Sequence, residues 1–104
     1  MKFSPHILLI DDNPIAVKLL TSYLQEFNYT CLSANNGKQA FDLLANYAFS
    51  LIICDLHMPV MNGYDFICEF RKHQEYDLIP IIVISSDDTE ESIVHILNSG
   101  ADDF

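Results

Sequence analysis

The sequence predicts an α/β domain built around a doubly wound parallel sheet. Four apolar runs of strand length alternate with longer segments whose apolar residues recur at helical spacing. Two of the runs end in acidic residues, and Asn, Gly and Pro mark the turns between segments. This alternation is typical of a parallel sheet with helices on both faces. Because the 104 residues contain no linker-like stretch, we expect one domain covering residues 1–104.

The first strand and helix have clear boundaries. Ile7–Ile10 is a continuous apolar run, which favours a strand buried on both faces. Asp12 or Asn13 can cap the following helix, and Pro14 suits its first turn. Helical spacing predicts one buried apolar face on this helix, formed by Ala16, Leu19, Leu20, Tyr23, Leu24 and Phe27.

The remaining segments continue the alternation. We predict, in order, a strand at 29–34, a helix at 38–47, a strand at 51–54, a helix at 64–72, a strand at 81–84 and a fourth helix. Residues 87–89 offer caps for that last helix, and Gly100 ends it. Within this helix we expect Ile93 and Leu97 to pack in the core.

Composition narrows the class of protein. Fifteen acidic residues face five Lys and Arg residues, for a formal net charge of −10, which argues against direct binding to nucleic acid or to an anionic membrane. The N-terminus lacks a signal-peptide core, and no apolar run is long enough to span a membrane. Three cysteines without a CxxC pair are typical of reduced thiols, so we expect a cytoplasmic protein.

Polar residues follow three of the predicted strands at their carboxyl ends. Asp11 and Asp12 follow the first strand, Asp55 the third and Ser85 the fourth. In a flavodoxin-like strand order, 2-1-3-4, the first and third strands are neighbours, and ligands bind at this edge. Three convergent carboxylates repel one another unless a cation lies among them, and hard oxygen ligands favour Mg²⁺. Helix capping is an equally good interpretation of Asp12, whereas no helix begins directly after Asp55.

Four segments resemble a known family. They are LLIDDNP at 8–14, LIICDLHMPVMNGYDF at 51–66, PIIVISS at 80–86 and GADDF at 100–104. Together they cover the chain in register and resemble the receiver domains of two-component response regulators, the family that includes the bacterial chemotaxis response regulator. The resemblance implies a flavodoxin-like doubly wound sheet that takes up a phosphoryl group.

The resemblance assigns roles to the strand-end residues. Asp55 matches the phosphoacceptor, and Asp12 matches the acid that binds Mg²⁺ (or Mn²⁺) directly. Asp11 matches the acid that acts mainly through water on the metal, and His57 would offer its backbone carbonyl to the metal. Ser85 matches the residue that hydrogen-bonds the phosphoryl group and moves on activation.

Further positions follow from the same resemblance. Phe104 matches the aromatic residue that turns inward on activation, while Met58, Pro59 and Gly63 shape the loop after Asp55. Relative to the family, the fifth strand, a Lys-Pro pair and the last helix are missing. A fragment of a longer protein and a degenerate stand-alone receiver both fit this pattern. Without a fifth strand, we expect residues 81–84 to form an open apolar edge, which makes a homodimer possible.

The resemblance also implies partners and activity. The phosphoryl group would come from a sensor histidine kinase or a histidine phosphotransfer protein, and the switch would act on an output domain or protein target. We expect Mg²⁺-dependent self-phosphorylation and self-dephosphorylation at Asp55 rather than turnover of an external substrate. One alternative is a receiver-like interaction module that works without phosphorylation. A hydrolase of the haloacid-dehalogenase kind would need a second Asp where this chain has His57.

Overall fold

The computed structural model describes residues 6–58, 60–85 and 89–104. Its elements alternate as the sequence predicts, with boundaries that differ by one or two residues. They are β1 (Ile7–Ile10), α1 (Pro14–Glu26), β2 (Cys31–Ala34), α2 (Gly37–Asn46), β3 (Leu51–Asp55), α3 (Gly63–Phe70), a 3₁₀ turn (Gln74–Tyr76), β4 (Ile81–Ile84) and α4 (Glu90–Ser99). Within the described ranges, no helix combines the length and the apolar character needed to cross a membrane.

The four strands form one parallel sheet in the order β2-β1-β3-β4, which confirms the predicted topology. Ile10, the last residue of β1, pairs with Ala34 on one side and Cys54 on the other. Asp55, the last residue of β3, pairs with Ile84 of β4. Because the strands are parallel and in this register, the residues that follow β1, β3 and β4 meet at one edge of the sheet.

One face of the sheet carries the main core. Alternate strand residues such as Leu8, Ile52 and Val83 point to this face and are almost fully buried. They pack against α2, α3 and α4, with Phe66 and Phe70 as the largest fully buried side chains. Right-handed crossovers place these helices on one face, since β2→β3 and β3→β4 run in the same direction across the sheet. The opposite crossover direction of β1→β2 places α1 on the other face.

The predicted apolar face of α1 is only partly correct. Ala16, Leu20 and Leu24 are half-buried, but Leu19, Tyr23 and Phe27 are exposed, Phe27 at 69%. Only a narrow stripe of the α1 surface can contact the sheet. The apolar residues that flank this stripe therefore remain exposed to solvent. No described residue of α1 is fully buried.

The prediction of an open edge at β4 is also only partly correct. Residues 102–104 lie alongside β4, and Asp103 forms a parallel bridge with Ile82. The backbone N–H of Asp102 donates to the carbonyl of Ile81 at 2.9 Å, and the N–H of Val83 donates to the carbonyl of Asp103 at 3.0 Å. The start of a fifth strand therefore covers most of this edge, while the last residue, Ile84, is 44% exposed.

Arg71 anchors this terminal segment. Its guanidinium donates hydrogen bonds to the carbonyl of Gly100 (2.9 Å) and to the carboxylate of Asp102 (2.9 Å). The same carboxylate oxygen accepts a bond from the backbone N–H of Ile81 at 2.8 Å. A single side chain thus ties the end of α3 to the end of α4 and to the first residue of β4.

Arg71→Ala should lower the free energy of unfolding by about 2 kcal/mol, because charge-assisted and partly buried hydrogen bonds contribute about 1.5–3 kcal/mol. Urea denaturation at constant m-value measures the loss. Lys72→Ala is the matched control, because the Lys72–Glu69 pair is exposed on both sides and should contribute little. Equal, small effects of the two substitutions would contradict the anchoring role.

Candidate functional site

The loop after β1 is shaped by Asn13. Its side-chain oxygen accepts the backbone N–H of Ile15 at 2.9 Å and that of Ala16 at 3.3 Å, so Asn13 is the N-cap of α1. Asp11 in turn accepts the backbone N–H of Asn13 at 2.9 Å. Of the two capping candidates, the structure selects Asn13. Asp12 is therefore not used as a cap and remains exposed at the carboxyl edge.

Asp55 is held at the end of β3 by a tight approach of α3. A Cβ on Gly63 would lie 2.1 Å from the carbonyl oxygen of Asp55, so only glycine fits where α3 begins. The N–H of Gly63 donates to the carbonyl of Leu56 at 2.9 Å, which closes the loop. Asn62 then caps α3 by accepting the backbone N–H of Asp65. These contacts fix the backbone position of Asp55 and thereby the point from which its side chain extends.

The three predicted carboxylates converge. One carboxylate oxygen from each of Asp11, Asp12 and Asp55 lies within 4.8 Å of the others. Within the described ranges, no other group of three acidic, His or Cys side chains comes this close. Partial burial raises the pKa of Asp55, and the charges of Asp11 and Asp12 raise it further. Backbone N–H groups of His57 and Leu56 lower the pKa again without outweighing those effects.

Cys54 lies directly beside this cluster, but its thiol is expected to be unreactive. Its side chain is fully buried, and its thiol donates to the carbonyl of Asp55 at 3.2 Å. Burial raises the pKa of the Cys54 thiol, and the charges of Asp55 and Asp11 raise it further. Of the two side chains at the end of β3, Asp55 is therefore the accessible one. Cys31, the first residue of β2, is only half-buried.

Three other predicted site residues, Ser85, His57 and Phe104, are not part of the carboxylate cluster. Ser85 is half-buried and directly follows Ile84, the strand partner of Asp55. His57 is exposed two residues beyond Asp55. Phe104 is partly buried against the main core. Metal binding by the His57 carbonyl and switching by Ser85 and Phe104 stay predictions.

The predicted loop residue Pro59 and the capping candidates Asp87 and Asp88 lie outside the described residues, whereas Thr89 is the observed cap of α4.

An open cavity of about 620 Å³ lies beside the acidic cluster. Its walls come from α1 and from the end of β2, and its lining residues are Asp11, Asp12, Pro14, Val17, Lys18, Ser33 and Asn35. The sequence interpretation overlooked Lys18. Lys18 is four residues after Pro14, so both lie on one face of α1, next to the loop that contains Asp11 and Asp12. This spacing could have indicated that Lys18 lies near the acids.

Comparison with known protein families agrees with this arrangement. A family model described as response regulator receiver domain matches residues 7–104. The chain belongs to this family. The receiver domain is also similar over nearly its whole length to a two-component response regulator from rice, ORR7, with 31% identity over 100 residues, and to the response regulator SaeR of Staphylococcus aureus, with 33% identity over 99 residues. These matches cover 95% of the chain in both cases, but only 48% of ORR7 and 42% of SaeR.

Solved structures support the same family and fold. A response regulator receiver protein from Pseudomonas putida superimposes with a TM-score of 0.87 at 30% identity, covering 100% of this chain and 86% of that one. The chemotaxis response regulator CheY4 of Vibrio cholerae superimposes with a TM-score of 0.89 at 26% identity, covering 97% of this chain and 84% of the other. The receiver domain therefore has the flavodoxin-like sheet that its sequence predicts.

Proposed function

We propose that this receiver domain takes a phosphoryl group on Asp55 with the help of a divalent metal ion, and that the modification switches an output domain or protein target. The convergence of Asp11, Asp12 and Asp55 within 4.8 Å is the observation that carries the proposal. The phosphoryl donor would be a histidine kinase or a histidine phosphotransfer protein. Cytoplasmic location and homodimer formation through the remaining open part of β4 stay predictions.

The donor set suits Mg²⁺ or Mn²⁺. Carboxylate oxygens are hard ligands, and an open cavity leaves room for the waters that Mg²⁺ retains. Burial and repulsion by Asp11 and Asp12 together raise the pKa of Asp55, and a cation would relieve the repulsion. Asp12 and Asp55 would hold the ion, together with Asp11 and the carbonyl of His57. When bound, the ion neutralises part of the negative charge on the carboxylates and the incoming phosphoryl oxygens.

The chain's own residues account for the transfer. An ionised oxygen of Asp55 attacks phosphorus and forms a P–O bond, while the P–N bond to the donor histidine breaks and the electron pair stays on the imidazole nitrogen. The pairing of Asp55 with Ile84 brings Ser85 to the neighbouring strand end, from which its hydroxyl would donate to a phosphoryl oxygen. The close contact between Gly63 and the backbone of Asp55 would position the nucleophile before the reaction begins.

A small-molecule donor tests this proposal directly. Incubation with acetyl phosphate and Mg²⁺ should add one phosphoryl group per chain, detected by intact mass, and mild base should remove it because an acyl phosphate is base-labile. Omission of the metal should prevent the gain. A chain whose mass never changes under these conditions would contradict the proposal and favour an interaction module that works without phosphorylation.

Metal binding should stabilise the fold. At a Mg²⁺ concentration about ten times the dissociation constant, the free energy of unfolding should rise by about 1.4 kcal/mol through linkage. Because the pKa of Asp55 is raised, this gain should weaken on acidification before the pH reaches the usual range of an aspartate. Thermal denaturation with and without Mg²⁺ measures the gain.

Asp12→Ala should remove most of the Mg²⁺-dependent gain. Asp42→Ala is the matched control, because Asp42 is an exposed acid of α2 outside the cluster, and the variant has the same net charge. An equal gain in both variants would place the metal elsewhere.

A further inference from the structure

The cavity beside Asp11 and Asp12 is lined by one basic side chain. Lys18 is the only cationic side chain among its lining residues, which also include Asp11 and Asp12. Pro14, Val17 and Lys18 are spaced three and four residues apart, so they lie on one face of α1. That face borders the end of β2, where Ser33 completes the polar wall. The cavity therefore holds a cation and two of the three clustered acids, Asp11 and Asp12, in one open space that adjoins Asp55.

The other described cations are placed differently. Arg71 is paired with Asp102 and Lys72 with Glu69, both at the far end of α3. Lys38 is exposed at the second residue of α2, which starts from the same edge of the sheet, but it does not line the cavity. Among the described residues, Lys18 alone brings positive charge to this space.

The positive charge of Lys18 offsets the repulsion between an anionic phosphoryl donor and the acidic cluster. A phosphoryl donor is anionic, and it must approach three clustered carboxylates on a chain with a formal charge of −10. A cation on the wall of an open cleft raises the local concentration of anions and speeds their association. The same cation repels a divalent metal ion that binds to the neighbouring carboxylates. Lys18 should therefore act on the two ligands with opposite sign.

We propose that Lys18 attracts the anionic phosphoryl donor through the cavity beside Asp11 and Asp12, and that it does so at the expense of metal affinity. This inference rests on the proposed phosphorylation of Asp55 and adds a residue that selects donors by their charge. The donors favoured by Lys18 are small acyl phosphates and other compact anionic phosphoryl compounds that fit a space of about 620 Å³.

The test compares Lys18→Gln with Lys38→Gln. Both substitutions remove one exposed positive charge from the same edge of the sheet, and glutamine keeps most of the side-chain length. At saturating Mg²⁺, Lys18→Gln should slow phosphorylation by acetyl phosphate about threefold, and it should tighten Mg²⁺ binding by about the same factor, because each ligand carries about two charges and interacts with the lysine across an open, water-filled cavity. Lys38→Gln should change both values far less, and Lys18→Arg should restore both. Mass spectrometry gives the rate, and isothermal titration calorimetry gives the Mg²⁺ affinity.

The outcomes separate this inference from the proposed function. Opposite changes in rate and affinity that shrink at about 1 M KCl, where the screening length falls to about 3 Å, would support the role of Lys18. A parallel loss of both would mean a structural role and overturn it. Equal effects of Lys18→Gln and Lys38→Gln, in a protein whose wild type is phosphorylated, would overturn the role of Lys18 and leave the proposed function intact. A wild type that takes up no phosphoryl group would overturn both.

Discussion

Asp55→Asn should leave the receiver domain unable to accept a phosphoryl group from acetyl phosphate. The amide has no ionised oxygen, so it cannot form the acyl phosphate that an aspartate forms. The nearest alternative nucleophile at the strand end, Cys54, is buried and has a raised pKa, so it stays a neutral thiol. Intact mass after incubation with donor and Mg²⁺ should show no gain in the variant and one phosphoryl group in the wild type.

The loss should not come from unfolding. Asp55 carries a raised pKa because of burial and the charges of Asp11 and Asp12, so its ionised form is disfavoured in the folded state. Removing that charge should raise the free energy of unfolding at neutral pH only modestly, because the Asp55 side chain is partly exposed and solvent screens the repulsion. The sign follows from linkage, since a raised folded-state pKa makes the fold less stable as the pH rises through that pKa.

Two comparisons make the result specific. Asp42→Asn makes the same change of one charge on an exposed part of α2 and should be phosphorylated like the wild type. Asp55→Asn should also bind Mg²⁺ more weakly than Asp42→Asn, because one of the three converging carboxylates is lost. Phosphoryl incorporation that survives in Asp55→Asn would show that another residue carries the group.

The sequence predicts the fold well because its apolar pattern is local. Each strand is a short run such as Ile7–Ile10, and each helix start carries a capping residue such as Asn13 or Thr89. The convergence of the carboxylates follows from strand order alone, since β1 and β3 are neighbours. These features need no knowledge of side-chain packing.

The errors concern how much of each helix its neighbours cover. Helical spacing marks Leu19 and Phe27 as apolar, but it does not tell how wide a stripe of α1 the sheet covers. In α4 the buried residue is Ile96, whereas Leu97, predicted to lie in the core, is 39% exposed. Successive side chains of a helix differ in direction by about 100°, so an error of one residue moves a predicted core position to the border of the core. Periodicity over a ten-residue helix does not resolve that difference.

Other features depend on residues that are distant in sequence. Arg71 meets Gly100 and Asp102 about thirty residues further along the chain, so no local pattern indicates the anchor. Val60 has a φ of 67°, a left-handed conformation that its β-branched side chain disfavours. Residue preference alone predicts a negative φ for Val60.

Gly63→Ala should destabilise the receiver domain severely, by about 3 kcal/mol or more. The added Cβ would lie 2.1 Å from the carbonyl oxygen of Asp55 and 2.8 Å from the Cα of Leu56. Both neighbours are backbone atoms, and Gly63 is itself bonded to the carbonyl of Leu56 at 2.9 Å, so no side-chain rotation can make room. Overpacking against fixed atoms typically costs about 1–3 kcal/mol, and here the end of β3 must move as well. Urea denaturation gives the loss of stability.

Gly37→Ala provides an unusually close control for Gly63→Ala. Gly37 is also the first residue of a helix, is also buried, and also follows an asparagine whose side chain caps that helix. A Cβ at this position would meet the Cγ and Sδ of Met61 at 2.7 Å and the Cβ of Phe66 at 3.0 Å. The flexible methionine side chain can move aside, and the buried Phe66 must shift by a few tenths of an ångström. Since alanine favours the helix by up to about 1 kcal/mol over glycine, which offsets part of this cost, Gly37→Ala should destabilise the domain much less than Gly63→Ala. Because the clash at Gly63 displaces Asp55 itself, Gly63→Ala should also lose phosphoryl uptake in whatever fraction remains folded, while Gly37→Ala keeps it. If both substitutions are tolerated equally, the contact between α3 and the Asp55 backbone is looser than the structure indicates.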